Sequence, residues 1–323
     1  MRKIILLLIS LFALMSCGQK TPHTTAVSRP AFSADTAYLF IQHQMNLGAR
    51  VPGTKPHSAC MFFLVNMLHN YGAEVEIQQG EMINYAGEQQ PILNVIGRFG
   101  NAKQGNRILL AAHYDCRPWC DEEPNYDDRF CPLPGANDGA SGVGILLEVA
   151  RQLARMDSTL RTGVDIVFFD CEDMGTPSFY TGEQRENTWC LGSQLFSTRL
   201  VESGHSRDYH YGILLDMVGA PDAVFPKEYF SMQYASDYVE HVWHKAELLG
   251  HGSLFVSERS YPITDDHYYV NTIAGIPMLD IVHYDAHNDT GFPYWWHTRE
   301  DDMRHIDPHT LQAVGEVVMA MIQ

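Results

Sequence analysis

Five apolar runs of strand length punctuate the chain, at 92–98, 108–113, 164–170, 211–216 and 277–283. Most lack the polar–apolar alternation of a half-exposed strand, so they suit strands buried on both faces of a largely parallel sheet. Helix-like stretches lie between and around them. Segment 139–153 carries Ile145, Leu146, Val149 and Leu153 at helical spacing, and 57–71, 232–249 and 308–322 read alike. This alternation predicts one α/β domain, an open and mostly parallel mixed sheet with helices on both faces. A hydrophobic content of 45% is enough to fill such a core. No internal repeat, low-complexity tract or second linker divides the chain.

In open α/β sheets, ligands bind beyond the carboxyl ends of the strands. Four of the runs end there in acids or histidine: His113 and Asp115, Glu172 and Asp173, Asp216, and His283. Asn137-Asp138-Gly139, Asp265-Asp266-His267 and Trp296-His297 add to them. Carboxylate oxygens with imidazole nitrogens are the donors zinc takes in hydrolytic sites. Asp170, Glu172 and Asp173 crowd one strand end, which is costly unless a cation or proton offsets their repulsion. Neighbours leaving a strand point apart, so one carboxylate can hold a metal while the other faces substrate.

Plainer roles stay open at this stage. Asp138, Asp216 and Asp265 each suit a helix cap or turn, and His113 suits either a metal or a core hydrogen bond. Asp115 could orient His113. His241 and His244 lie three apart without an HExxH pattern and read as solvated. The glycines of 139–144 lack a P-loop lysine and suit close helix packing better than phosphate. There is no GxSxG elbow and no CxxC pair. Cys116, Cys120 and Cys131 share one loop and could pair, but sequence does not give connectivity.

Met1-Arg2-Lys3 followed by the apolar run 4–14 reads as a secretory signal, too short to span a bilayer. Leu14-Met15-Ser16-Cys17 resembles a bacterial lipoprotein cleavage box. The expected organisation is a lipoprotein signal peptide at 1–17, a flexible tether at 18–35 and a zinc-dependent catalytic domain at 36–323. Such a protein is exported and held at a periplasmic or outer-membrane surface by its lipid alone. A net charge of −17 offers no basic footprint, which excludes a nucleic-acid partner.

Taken in order, His113-Tyr-Asp115, Asp138-Gly139, Glu172-Asp173, Leu214-Leu-Asp216 and His297-Thr298 resemble the zinc aminopeptidase superfamily. Asp265-Asp266-His267, Gly275-Ile-Pro-Met-Leu279 and Phe292-Pro-Tyr-Trp-Trp296-His297-Thr298 resemble, within it, the glutaminyl cyclases of animals and bacteria. The likeness runs from about residue 40 to the end. It implies conversion of N-terminal glutamine in peptides or proteins to pyroglutamate with release of ammonia. It further implies one zinc per chain on Asp138, Asp173 and His297, with Glu172 as general acid/base and Asp216 and Asp265 as supporting acids. Trp296, Phe292 and Asp280 are expected at the substrate pocket, and the chain is expected to be a monomer.

Three departures stand out. Asp173 replaces the more usual glutamate ligand, and Asp280 falls where the animal enzymes have histidine. The family's other pocket tryptophan has no counterpart that the sequence places, and Trp189 and Trp119 are the candidates. The main rival is a di-zinc aminopeptidase using His113, Asp138, Asp173, Asp216 and His297; another is an inactive lipoprotein that binds peptide or metal.

Overall fold

The structure, a computed structural model, describes residues 31–100, 105–156 and 162–322. The expected signal peptide and residues 18–30 of the expected tether lie outside these residues. Ser33 caps helix α1 (Ala34–Leu47) by accepting from the Thr36 amide, so residues 33–35 open the domain rather than end the tether. Next comes α2 (Lys55–Asn70), capped by Thr54 with proline in its first turn. Then follow β1 (Glu74–Ile83), β2 (Gln89–Phe99), β3 (Arg107–His113), α3 (Ala140–Met156), β4 (Gly163–Phe169) and α4 (Leu191–Ser203). The chain continues through β5 (Tyr209–Asp216), β6 (Phe225–Lys227), α5 (Tyr229–Tyr234), α6 (Ser236–Leu249), β7 (Phe255–Arg259) and α7 (Asp266–Tyr269). It closes with β8 (Met278–Val282) and α8 (Pro308–Ile322).

The main sheet has the order β1-β2-β4-β3-β5-β8. β4, β3, β5 and β8 are parallel neighbours, while β1 and β2 add an antiparallel flank. This is the expected mostly parallel mixed sheet. Every residue of β4 is buried, as its unbroken apolar run requires. α1, α2, α3, α6 and α8 build the larger core on one face. Phe196 of α4 and the turn 270–274 cover the other with Ile96, Leu109 and Val167. The 139–144 glycines serve packing: a Cβ on Gly142 would collide with the Leu215 carbonyl of β5. Among the described residues, no helix is long and apolar enough to cross a membrane.

The helix expected at 232–249 is two helices. Glu228 caps α5 by accepting from the Phe230 and Ser231 amides, and Ala235 (φ −138°) breaks the run before α6. The six described cysteines are free, so no pairing forms among Cys116, Cys120 and Cys131.

His283, at the end of β8, does not join the other strand-end groups. It is buried, and burial lowers its pKa to about 4 despite Asp285 nearby. The folded chain therefore keeps it neutral where an unfolded one, near 6.5, takes a proton. Its stabilisation is complete above pH 6.5 and lost as pH falls toward 4, by roughly 3 kcal/mol. Urea midpoints of His283→Gln should fall less steeply than those of the parent across that window. Parallel slopes would count against the neutral assignment.

Candidate active site

β3 lies at the centre of the parallel strands, and its last residue, His113, stands between the ends of β4 and β5. The turn before α3 brings Asp138 against it. A Cβ on Gly139 would overlap the His113 ring and its carbonyl, so only glycine fits there. His113 Nε2 is 3.0 Å from Asp138 Oδ1 and 3.3 Å from Asp216 Oδ1. On the other side, His297 Nε2 is 3.5 Å from Asp138 Oδ2 and 3.3 Å from Asp173 Oδ1. Asp138 is thus a fork whose two oxygens each face one imidazole. Donors around a tetrahedral zinc, bonded at about 2.0–2.1 Å, stand roughly 3.3 Å apart. His297 stands near that spacing from both Asp138 and Asp173, the three donors lie within 4.8 Å of one another, and Asp173 Oδ2 is buried with no hydrogen-bond partner among the described residues. The set fits a zinc ion. His113, Asp138 and Asp216 form a second such cluster.

Supporting groups fix these donors. Asp115 faces His113 Nδ1 at 3.5 Å and accepts from the amides of Glu172 and Asp173, at 3.1 and 3.3 Å. Asp301 accepts from the amides of Asn137 and Asp138, at 2.8 and 3.1 Å. Asp121 faces His297 Nδ1 at 3.5 Å and binds buried Arg117 through both oxygens, at 2.6 and 2.7 Å. Arg117 also donates to Asp173 Oδ1 at 3.3 Å. Removing either partner of that buried pair strands a charge, a loss of about 3–5 kcal/mol. Of these supports, sequence reasoning reached only Asp115.

Burial raises the Glu172 pKa well above the carboxylate range; His113 opposes this, and Asp265, Asp173 and Asp266 add to it. Burial likewise lifts Asp216 to about 7; the bond from His113 opposes this, and Asp265 and Asp138 add to the rise. For His297 burial works downward, but Asp173, Asp121 and Asp138 raise it to about 10. Asp138 runs the other way: burial would raise it, and the two imidazoles hold it low. In this crowd of acids, imidazoles are the stabilising charges, as a bound cation would be.

A cavity of about 520 Å³ opens onto the cluster, and Asp138, Glu172, Asp173, Asp216, Asp265 and His297 line its floor. Trp296 stacks on His297 with centroids 3.6 Å apart and meets Phe292 at a tilt, centroids 4.6 Å apart, forming one wall. Trp189 lines the cavity with its ring nearly parallel to that of His297, centroids 6.3 Å apart. Trp119 instead packs against Tyr85 and Phe179. Segment 261–264 and Tyr284 also line the cavity and carry no mark in the sequence that would have singled them out. Asp280 corrects an expectation: it is fully buried and is not among the residues lining the cavity. It sits on β8 behind the floor, clustered with Asp265 and His267.

Buried carboxylates and imidazoles cluster beyond the carboxyl ends of a parallel sheet, a donor set suited to a divalent metal. The chain belongs to peptidase family M28, whose model matches residues 94–322. It is similar to Bacteroides thetaiotaomicron glutaminyl cyclase, solved with bound N-acetylhistamine, at 44% identity and a TM-score of 0.86 over 91% of this chain and 99% of that one. A Zn-dependent exopeptidase from Parabacteroides distasonis shows 42% identity and a TM-score of 0.86 over the same shares, 91% and 99%. Glutaminyl-peptide cyclotransferase from Bos taurus is 26% identical over 247 residues, 69% of this chain and 63% of that one. The chain spans less than two thirds of the length of the curated relatives it matches.

Proposed function

We propose that this chain is a glutaminyl-peptide cyclotransferase, closing the N-terminal glutamine of peptides or proteins to pyroglutamate and releasing ammonia. The observation that carries this reading is the likeness to a glutaminyl cyclase across 91% of the chain. The Phe292–Trp296 wall beside His297 supports it. Asp138, Asp173 and His297 would hold one zinc per chain, which supplies Lewis acidity toward an amide carbonyl oxygen. The aromatic wall confines the folded-back glutamine so that its α-amine meets its own γ-amide carbon. A bond forms between them and the C–NH₂ bond breaks. Glu172 takes a proton from the attacking amine and returns one to the departing nitrogen, so the protons balance. Asp265, clustered with Glu172, and Asp216 support it from the floor. The N-terminal signal and lipoprotein-like box support export and lipid anchoring, with peptide substrates met at a membrane surface by a monomer.

Ammonia release from Gln-β-naphthylamide, beside hydrolysis of the Leu and Ala analogues, tests the reading. Release from Gln alone supports it; hydrolysis of Leu and Ala without ammonia from Gln defeats it, and no turnover of any favours a binder. The His113–Asp138–Asp216 cluster favours a second reading, the two-metal aminopeptidase. Zinc analysis separates them, with about one ion per chain for the cyclase and about two for the peptidase.

The cavity also bears on the second residue of the substrate. Its lining includes Asp289 besides the floor acids, and no lysine or arginine among the described residues. Tyr261, Ile263 and Tyr284 form an apolar shelf beyond them. Gln-Phe peptides should outrun Gln-Glu peptides about tenfold in kcat/KM. Equal values would exclude this shelf as the second-residue contact.

A further inference from the structure

Glu172 must present a carboxylate in one orientation, yet most of its restraints act on its backbone. Its amide donates to Asp115 Oδ1 at 3.1 Å, and its carbonyl accepts from the Cys190 amide at 2.8 Å. Among the described residues, one side-chain donor reaches the carboxylate: Cys190 Sγ lies 3.2 Å from Oε1. Asp265, the other neighbour in that cluster, is an acid and cannot donate when ionised. Cys190 is fully buried and precedes α4 with a left-handed backbone, φ 56°. That conformation is uncommon for a residue with a side chain. Here it lets the amide and the thiol of one residue meet the same glutamate.

We propose that Cys190 is a positioning residue for Glu172: its S–H donates to Oε1 and leaves the other carboxylate oxygen to exchange the proton. The inference rests on the functional reading above, in which Glu172 carries the proton. Burial pushes the thiol well above its ordinary range, with Glu172, Asp266 and Asp265 adding to the effect, consistent with a thiol that stays protonated. A buried cysteine serving only as a small apolar filler needs no donor. The two roles order the substitutions differently. Serine keeps a donor at the same place but puts a hydroxyl into a filler's apolar niche, whereas alanine suits a filler and removes the donor.

The test measures kcat and KM for Gln-β-naphthylamide, zinc content and thermal midpoint in the zinc-loaded parent, Cys190→Ser and Cys190→Ala. Cys190→Ser should keep kcat within about threefold, and Cys190→Ala should lose about tenfold, with KM and zinc unchanged. If Cys190→Ala does not fold, Cys190→Gly replaces it, since glycine adopts φ 56° without strain. An alanine or glycine variant as active as the parent, or more active than Cys190→Ser, overturns the proposal. So does equal loss in all variants. A parent with no ammonia release fails at the earlier step and takes the functional reading down with it.

Discussion

Glu172→Gln should cut ammonia release on the order of a thousandfold while zinc stays bound. The amide matches the carboxylate in size but cannot accept and return a proton, and positioned acid–base groups are worth about 10²–10⁴ in rate. Zinc should remain because Glu172 is not one of the three clustered donors Asp138, Asp173 and His297. Its backbone bonds to Asp115 and Cys190 do not depend on the side chain either. Turnover within tenfold of the parent would move the acid/base role elsewhere, with Asp265 the nearest heir. Loss of zinc would make Glu172 part of the metal site.

Trp296→Ala should cost about a hundredfold in turnover, the scale on which a misplaced substrate reacts. Two roles compete at this residue. The indole walls the cavity and also stacks on His297, 3.6 Å between centroids. If stacking alone oriented His297, its loss should release the metal. But His297 also faces Asp121, which Arg117 grips with two bonds, so the ligand keeps its heading without the indole. Zinc retained with slow turnover is therefore the expected result. Zinc lost together with turnover would make Trp296 a metal support and remove it from the pocket.

Five of the eight described strands, and the acids and histidines that cluster at their ends, were visible in the sequence because both leave local marks. A strand buried on two faces reads as an unbroken apolar run, and an acid at its end is conspicuous. The groups that hold those residues leave no such mark. Asp301 reaches Asn137 and Asp138 across more than 160 positions, and Arg117 spans from Asp121 to Asp173. Only the folded sheet brings them together. Helix α4 was missed because its first seven residues are buried all round while its end is exposed, which blurs any apolar stripe. Asp280 misled for the opposite reason. β8 places it at the right height on the sheet but behind Asp265, a depth that no linear pattern encodes.

Both walls of the cavity are covalently yoked to reacting groups. The 261–264 wall runs directly into Asp265, and the Phe292–Trp296 wall runs directly into His297. Lengthening or shortening either segment would drag Asp265 or His297 out of place. Descendants of this scaffold can therefore change what they accept by exchanging side chains on a backbone of constant length.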